Sequence, residues 1–374
     1  MIRYQYRKGP IESKVATIFV LAVIWLMVIW LMHYPDVVER WYSDGLYLVI
    51  CRLLHPVFNL LPFSVGDVIY IALIIYLAFA LVNIIRLAFL KRFIRLLVYV
   101  LQLVIGFQLI ILSFYLLWGL NYFRPSAANR LNLQDSSYTF EDVKLVTSIL
   151  IDSANASRAQ LTAADLAQTD QTIYQTAIGA VDTLAARSKG FPAYHPDIKP
   201  SMLTYFLNYL GTSGYFNPFT SEAQMNYQMP VYLKSFTACH EMSHQMGFGA
   251  EDEANFGGFL AGIASRDRLL KYSTYYAGVE EFMYAIGRKD TIAFRLLKTR
   301  ISPLVRQDFK TDRAYWKDFE SKAGIFSGIL YDHYLKTNNQ PEGLKTYNQM
   351  VRLVMAWYLK NHFKKSFVNT EPKP

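Results

Sequence analysis

Apolar positions are spread unevenly along this chain of 374 residues: they run together in the first third and become periodic after it. "VATIFVLAVIWLMVIWLM" (residues 15–32), "VIYIALIIYLAFALVNII" (68–85) and "LLVYVLQLVIGFQLIILSFYLLWGL" (96–120) contain no charged residue. Each is close to the length a helix needs to cross a bilayer core of about 30 Å, so three transmembrane helices are predicted there. "HYPDVVERWY" follows the first run where a signal peptide would show a small-residue cleavage site, so that run is read as a retained anchor.

Beyond residue 120 the pattern becomes that of helices broken by loops. A polar juxtamembrane linker marked by Pro125 runs from Asn121 to Phe140, and Thr139 with Asp142 resembles a capping pair ahead of Val143, Leu145, Val146, Ile149 and Leu150. A second helix is expected at about residues 170–186, after a loose Ser/Thr/Gln/Ala-rich connection, and "KGFPAYHPDIKP" is a proline-broken loop. Residues 202–231 are rich in glycine, proline, asparagine and aromatics, and "SEAQMNYQM" alternates weakly, which predicts a short strand or hairpin. Helical patterns resume near Ser235 and continue almost to the end. The expected fold is mainly α: a membrane domain over residues 1–120, then a mostly helical domain over residues 121–374 with one small strand element.

Charge adds a topology to this picture. Arg3, Arg7, Lys8 and Lys14 precede the first span, and Arg86, Lys91, Arg92 and Arg95 lie between the second and third. The positive-inside rule expects both groups in the cytoplasm and everything after Leu120 on the opposite side. The connection between the first two spans carries Arg40 and Arg52 against Asp36, Glu39, Asp44 and Asp67, which suits the outer side. Trp41, Tyr42 and Tyr47, followed by "LYLVICRLLHPVFNLLPF", mark it as a segment lying along the interface. Of the net charge of +9, residues 1–120 hold ten basic and five acidic groups and the remainder 28 and 24, so no nucleic-acid partner is implied. The basic end "LKNHFKKSF" reads as a solvated helix tail, and Cys239, one of two cysteines, as a small core residue.

Candidate chemistry is concentrated in "HEMSH", His240 to His244. Histidines four apart share a helix face and can grip one ion, while Glu241, one step round, reaches water bound to it. Zinc lowers the pKa of such water towards about 7 and a neighbouring carboxylate accepts its proton, so Zn2+ is the expected cofactor and Glu241 the expected base. A catalytic zinc needs a third protein ligand, and Glu251, Asp252 and Glu253 follow a "GFG" turn that folds the chain back. Glu251, Asn255, Gly258 and Gly262 share one helical stripe, which makes Glu251 the favoured ligand and Asn255 a residue that orients one. Glu253 lies on a stripe with Phe256, Gly257 and Leu260 and is the other candidate. Ala250 occupies the position where the pattern His-Glu-x-x-His-x-x-Gly-x-x-His needs its third histidine, which disfavours that class.

Glu251 to Asn255 is similar to the Glu-x-x-Ala-Asn signature of zinc peptidases whose third ligand is a glutamate. "WGLNYFRP", "GTSGYFNPFTSEAQMN", "CHEMSHQMGFGAEDEANF" and "YLKTNNQPEGLKTY" resemble an uncharacterised bacterial family of three-span membrane proteins with this HExxH core. The resemblance implies a zincin-like domain and a zinc peptidase in the bacterial cytoplasmic membrane, and no particular substrate. "EAQMNYQ" then reads either as an edge strand holding an extended peptide, with Asn226 as a side-chain contact, or as a hairpin covering the helix pair. Tyr272, Tyr275, Tyr276, His333 and Tyr334 are candidate oxyanion donors. The sequence thus supports a membrane-anchored metallopeptidase acting on a peptide or protein outside the cytoplasm. The alternative is a zinc-containing membrane protein that binds or signals without hydrolysis.

Overall fold

The structure, a computed structural model, describes residues 9–133, 137–345 and 350–363. The tail basic residues Arg3, Arg7 and Lys8, and residues 364–367 of the basic end, lie outside the described residues. Among the described residues, three helices are long and apolar enough to cross a membrane: α1 (Gly9–Met32), then α4 (Val65–Phe89) and α5 (Phe93–Leu117). Twenty-five residues at 1.5 Å each reach about 37 Å, enough for the bilayer core with some tilt. Side chains such as Phe79 and Phe89, 71% and 84% exposed, need lipid as their solvent. α1 and α4 both pack on α5.

The third helix stops three residues before the predicted end of its span. Trp118 leaves helical geometry (φ −156°), and a Cβ at Gly119 would stand 2.5 Å from the Phe114 ring, so Gly119–Phe123 continues as a tight 3-10 turn. That turn is buried against the rest of the protein.

Between α1 and α4 the predicted interfacial segment is helical: α2 (Pro35–Val37), a π-helical stretch (Val38–Leu46) and α3 (Tyr47–Asn59). Its polar groups are tied to the C-terminal region. His55 Nε2 lies 2.8 Å from Ser221 Oγ, Lys199 Nζ donates to Phe58 O (2.6 Å), and Arg124 pairs with Glu39 (2.5 Å). The opposite face exposes Leu53, Val57 and Leu60.

After α6 (Ala127–Arg130), the helix α7 (Phe140–Ala159) starts on the predicted capping box of Thr139 and Asp142. The connection read as loose contains a further capped turn, α8 (Ala163–Leu166), before α9 (Asp170–Arg187). β1 (Ile198–Pro200), α10 (Thr204–Leu210), β2 (Gly214–Asn217) and β3 (Glu222–Met225) follow. The sheet order is β1-β3-β2, with β3 parallel to β1 and antiparallel to β2. The hairpin was expected; β1, inside the predicted proline loop, was not.

The remaining elements are helical: α11 (Val231–Gln245), α12 (Glu251–Ala264), α13 (Arg268–Lys289), α14 (Thr291–Arg300), α15 (Pro303–Asp318), α16 (Lys322–Thr337) and α17 (Met350–Tyr358). α11 is central, packed on α9, α12, α13 and the sheet. Leu150, Ile173, Phe256, Phe259, Phe282 and Val354 fill the surrounding core without solvent exposure. Large buried aromatics of this kind dominate core energetics. The polar helix α11 is therefore held from all sides by apolar ones.

Candidate metal centre

α11 ends in a turn that two glycines make possible. Gly247 adopts φ +82°, which side chains rarely tolerate, and a Cβ on Gly249 would meet the Tyr122 backbone at 3.1 Å. The chain reverses there and α12 runs back along α11. A Cβ on Gly258 would stand 3.1 Å from His240 N, and one on Gly257 2.6 Å from Ser243 Oγ, so both glycines permit the close approach. Gly262, also in the predicted small-residue stripe, instead receives Thr274 of α13. The last carbonyls of α11 find donors in the membrane-proximal turn and α3. Trp118 Nε1 donates to His244 O (3.0 Å) and Tyr47 Oη to Gln245 O (2.9 Å).

This packing brings His240, His244 and Glu251 together, with one donor atom from each within 4.8 Å of the others. Glu251 Oε2 lies 3.3 Å from His240 Nε2 and 3.6 Å from His244 Nε2. The other ring nitrogens are engaged behind the site: His244 Nδ1 donates to Phe248 O and His240 Nδ1 meets Asn255 Oδ1, both at 2.7 Å. A carbonyl can only accept, so His244 in its neutral form turns a lone pair on Nε2 towards Glu251. Asn255 thus takes the orienting position its spacing predicted. Tyr331 Oη donates to Glu251 Oε1 (2.7 Å), and Glu251 Oε2, buried, accepts no hydrogen bond. Two imidazoles and an under-used carboxylate oxygen, converging and supported from behind, fit a three-ligand zinc site.

Electrostatics agree with a site built for a cation. Burial raises the Glu251 carboxyl, but the positive charge of His244 and the close approach of both imidazoles outweigh it and hold it well below the usual carboxylate range. Burial lowers His244, but Glu251 and then Glu241 outweigh it and lift its pKa to about 9. Glu241 differs: burial pushes it up to about 7. It is not among the grouped donors, and Gly214 of β2 covers it so closely that a Cβ there would stand 2.9 Å from Glu241 Oε1.

Other predicted residues lie elsewhere. Glu253 accepts from Ala127 N (2.6 Å) and pairs with Arg130 (3.1 Å), turned away from the histidines. Asn226 is corrected: fully buried, it donates to Asn208 Oδ1 (2.5 Å) and Thr212 O and accepts from Gln228 N, so it ties β3 to α10 rather than contacting substrate. β3 is also corrected, being the central strand and not an edge. The edge beside the site is β2. Asn226 N donates to Ser213 O (3.0 Å), which sets Ser213, Tyr215 and Asn217 in bonded pairs and turns the backbone of Gly214 and Phe216 outward.

Among the oxyanion candidates, Tyr272 and Tyr276 are committed to Asp308 and Asp312. Tyr334 stays near the site, its Oη 3.1 Å from Tyr122 Oη and its ring stacked on Tyr331. Tyr331 and Gln340, whose side chain accepts from Glu251 N (3.2 Å), were missed; Gln340 lies inside the quoted segment "YLKTNNQPEGLKTY". A cavity of about 1340 Å³ opens beside the site, lined by His240, Asn255, Ser213, Leu210, Glu281 and Ile325 among others.

No curated protein and no solved structure matches this chain. A family model described as "Protein of unknown function (DUF3810)" matches residues 42–355, from the π-helical stretch into α17, and the chain belongs to that family.

Proposed function

We propose that this protein is a membrane-anchored, zinc-dependent metallopeptidase in which His240, His244 and Glu251 hold the ion and Glu241 is the general base. The observation that carries the reading is the convergence of three buried donors beside a further buried carboxylate, Glu241, that is not one of them. A structural zinc site usually closes with four ligands and has no use for Glu241. Zinc, when bound, supplies Lewis acidity that polarises a carbonyl and acidifies water towards a pKa of about 7.

The protein's own residues do the rest. Glu241 takes the proton of the attacking water and delivers it to the departing amine, the two transfers expected of a carboxylate held beside the ligands without being one of them. Asn255 fixes the His240 ring and Tyr331 fixes Glu251. The outward backbone of Gly214 and Phe216 receives an extended peptide as an added strand, a task the sequence alone gave to β3. The similarity to glutamate-liganded zinc peptidases rests on Glu251, Ala254 and Asn255 following HExxH.

The same reading places the N-terminus in the cytoplasm of a bacterium and the C-terminal domain outside it, as the lysine and arginine asymmetry requires. A reporter active only outside the cytoplasm, fused after Pro374, is expected to be active. Its silence, with activity when fused between Arg86 and Arg95, reverses the orientation. Hydrolysis is tested with Glu241→Gln, which keeps the shape and removes the base. This variant should retain zinc and lose peptide cleavage by about a hundredfold or more. Undiminished cleavage would sink the mechanism.

A further inference from the structure

We propose that α10 and α16 are seated in the membrane leaflet bordering the C-terminal domain, so that the cavity beside His240 opens at the membrane surface and receives membrane-attached polypeptide. Tyr205 and Phe206 on α10, with Ile325, Phe326, Ile329 and Leu330 on α16, are 53–70% exposed. On α16 these positions form one helix face, and no charge lies between Lys322 and Asp332; α10 carries none at all. Ser321 Oγ donates to Tyr209 O (2.8 Å), joining the two helices into one patch. Contiguous apolar surface of this kind marks an interaction site.

Its position identifies the occupant. Met202 N, just before α10, donates to Asp67 Oδ2 (2.7 Å) in the first turn of α4. At the far end of α16, Tyr334 packs on Phe114 (6.1 Å between ring centroids), and Asn338 accepts from Tyr115 Oη (2.9 Å), both in the last turn of α5. The patch is therefore pinned at both ends to the domain-side ends of spanning helices, whose exposed apolar surface continues at Ile69 and Leu116. Lipid covering α4 and α5 extends directly onto α10 and α16. Removing side chains such as Phe and Ile from water is favourable in proportion to the apolar area covered, so the patch adds to the seat. Leu210 and Ile325 line the cavity that also contains His240, and Trp118, the residue after α5, donates to His244 O. The site thus lies at the level where the spanning helix ends.

Seating stands on geometry alone; the substrate class rests on the peptidase reading. Full-length protein in lipid nanodiscs would carry single spin labels at Phe206→Cys, Phe326→Cys and Ile329→Cys, with Leu296→Cys on α14 as an exposed comparison. The three patch labels should collide more with oxygen than with an aqueous nickel chelate, and the Leu296 label the reverse. Chelate-dominated collisions at all three patch positions would overturn the seating. One peptide, free or acyl-anchored to liposomes, is then offered to the protein, and anchored peptide should be cleaved at least about tenfold faster. Equal rates would overturn the substrate class. Cleavage of neither would overturn the peptidase reading, while the labels still decide the seating.

Discussion

The α11–α12 hairpin and the α10–α16 pair meet at one cavity, yet they are built in opposite ways. The hairpin buries His240, Glu241, His244, Glu251 and Glu253, groups that water would solvate far better. The pair exposes Phe206, Ile325, Phe326 and Ile329, groups that water solvates poorly. Each inversion needs a compensating partner: buried charges must be paired or ligate an ion, and a large apolar patch must be covered. The compensations differ because the hairpin is closed by this chain's own helices, whereas the pair faces outward beside the spanning segments.

Breaking the pairing inside the hairpin should have the largest effect. Glu253→Ala leaves the buried Arg130 guanidinium without its carboxylate partner, and is expected to cost about 3–5 kcal/mol in chemical denaturation while leaving zinc affinity nearly unchanged. Zinc loss on that change would transfer the third-ligand role to Glu253. Asn255→Ala removes the group behind His240 and should weaken zinc binding about 10–100-fold, measured by competition with a chromophoric chelator. Gly258→Val forces α12 off the His240 backbone and should destabilise by about 1–3 kcal/mol in thermal unfolding. The smallest effect is expected outside the hairpin. Phe326→Ser in detergent should change stability by no more than about 0.5 kcal/mol; a larger loss would place that side chain in the core.

How much of this was legible follows from distance along the chain. His240, Glu241 and His244 are local, and a helix period places two of them on one face. The period also separated Glu251 from Glu253, and the structure turns only Glu251 towards the histidines. The spanning helices were visible because uninterrupted apolar runs need no partner to be recognised. Tyr331 and Gln340 were not visible: they reach Glu251 from 80 and 89 residues away. β1 was hidden because a three-residue strand ending in Pro200 makes sense only once its parallel partner is known. Alternation in "SEAQMNYQM" located the strand but could not distinguish centre from edge, which is why Asn226 was given a contact it does not make. α10 lacks the length for a periodic signal, and its exposed aromatics disguise it further.

His240, His244 and Glu251 are proposed to hold one zinc ion together. Metal content of the purified full-length protein tests it most directly, in wild type, His240→Ala, Glu251→Ala and Glu253→Ala. About one zinc per chain is predicted for wild type and Glu253→Ala, with a sharp loss in the other two. Occupancy should also fall as the pH is lowered, because protons compete with the ion for both imidazoles. Zinc retained at the wild-type level by both His240→Ala and Glu251→Ala would contradict the claim.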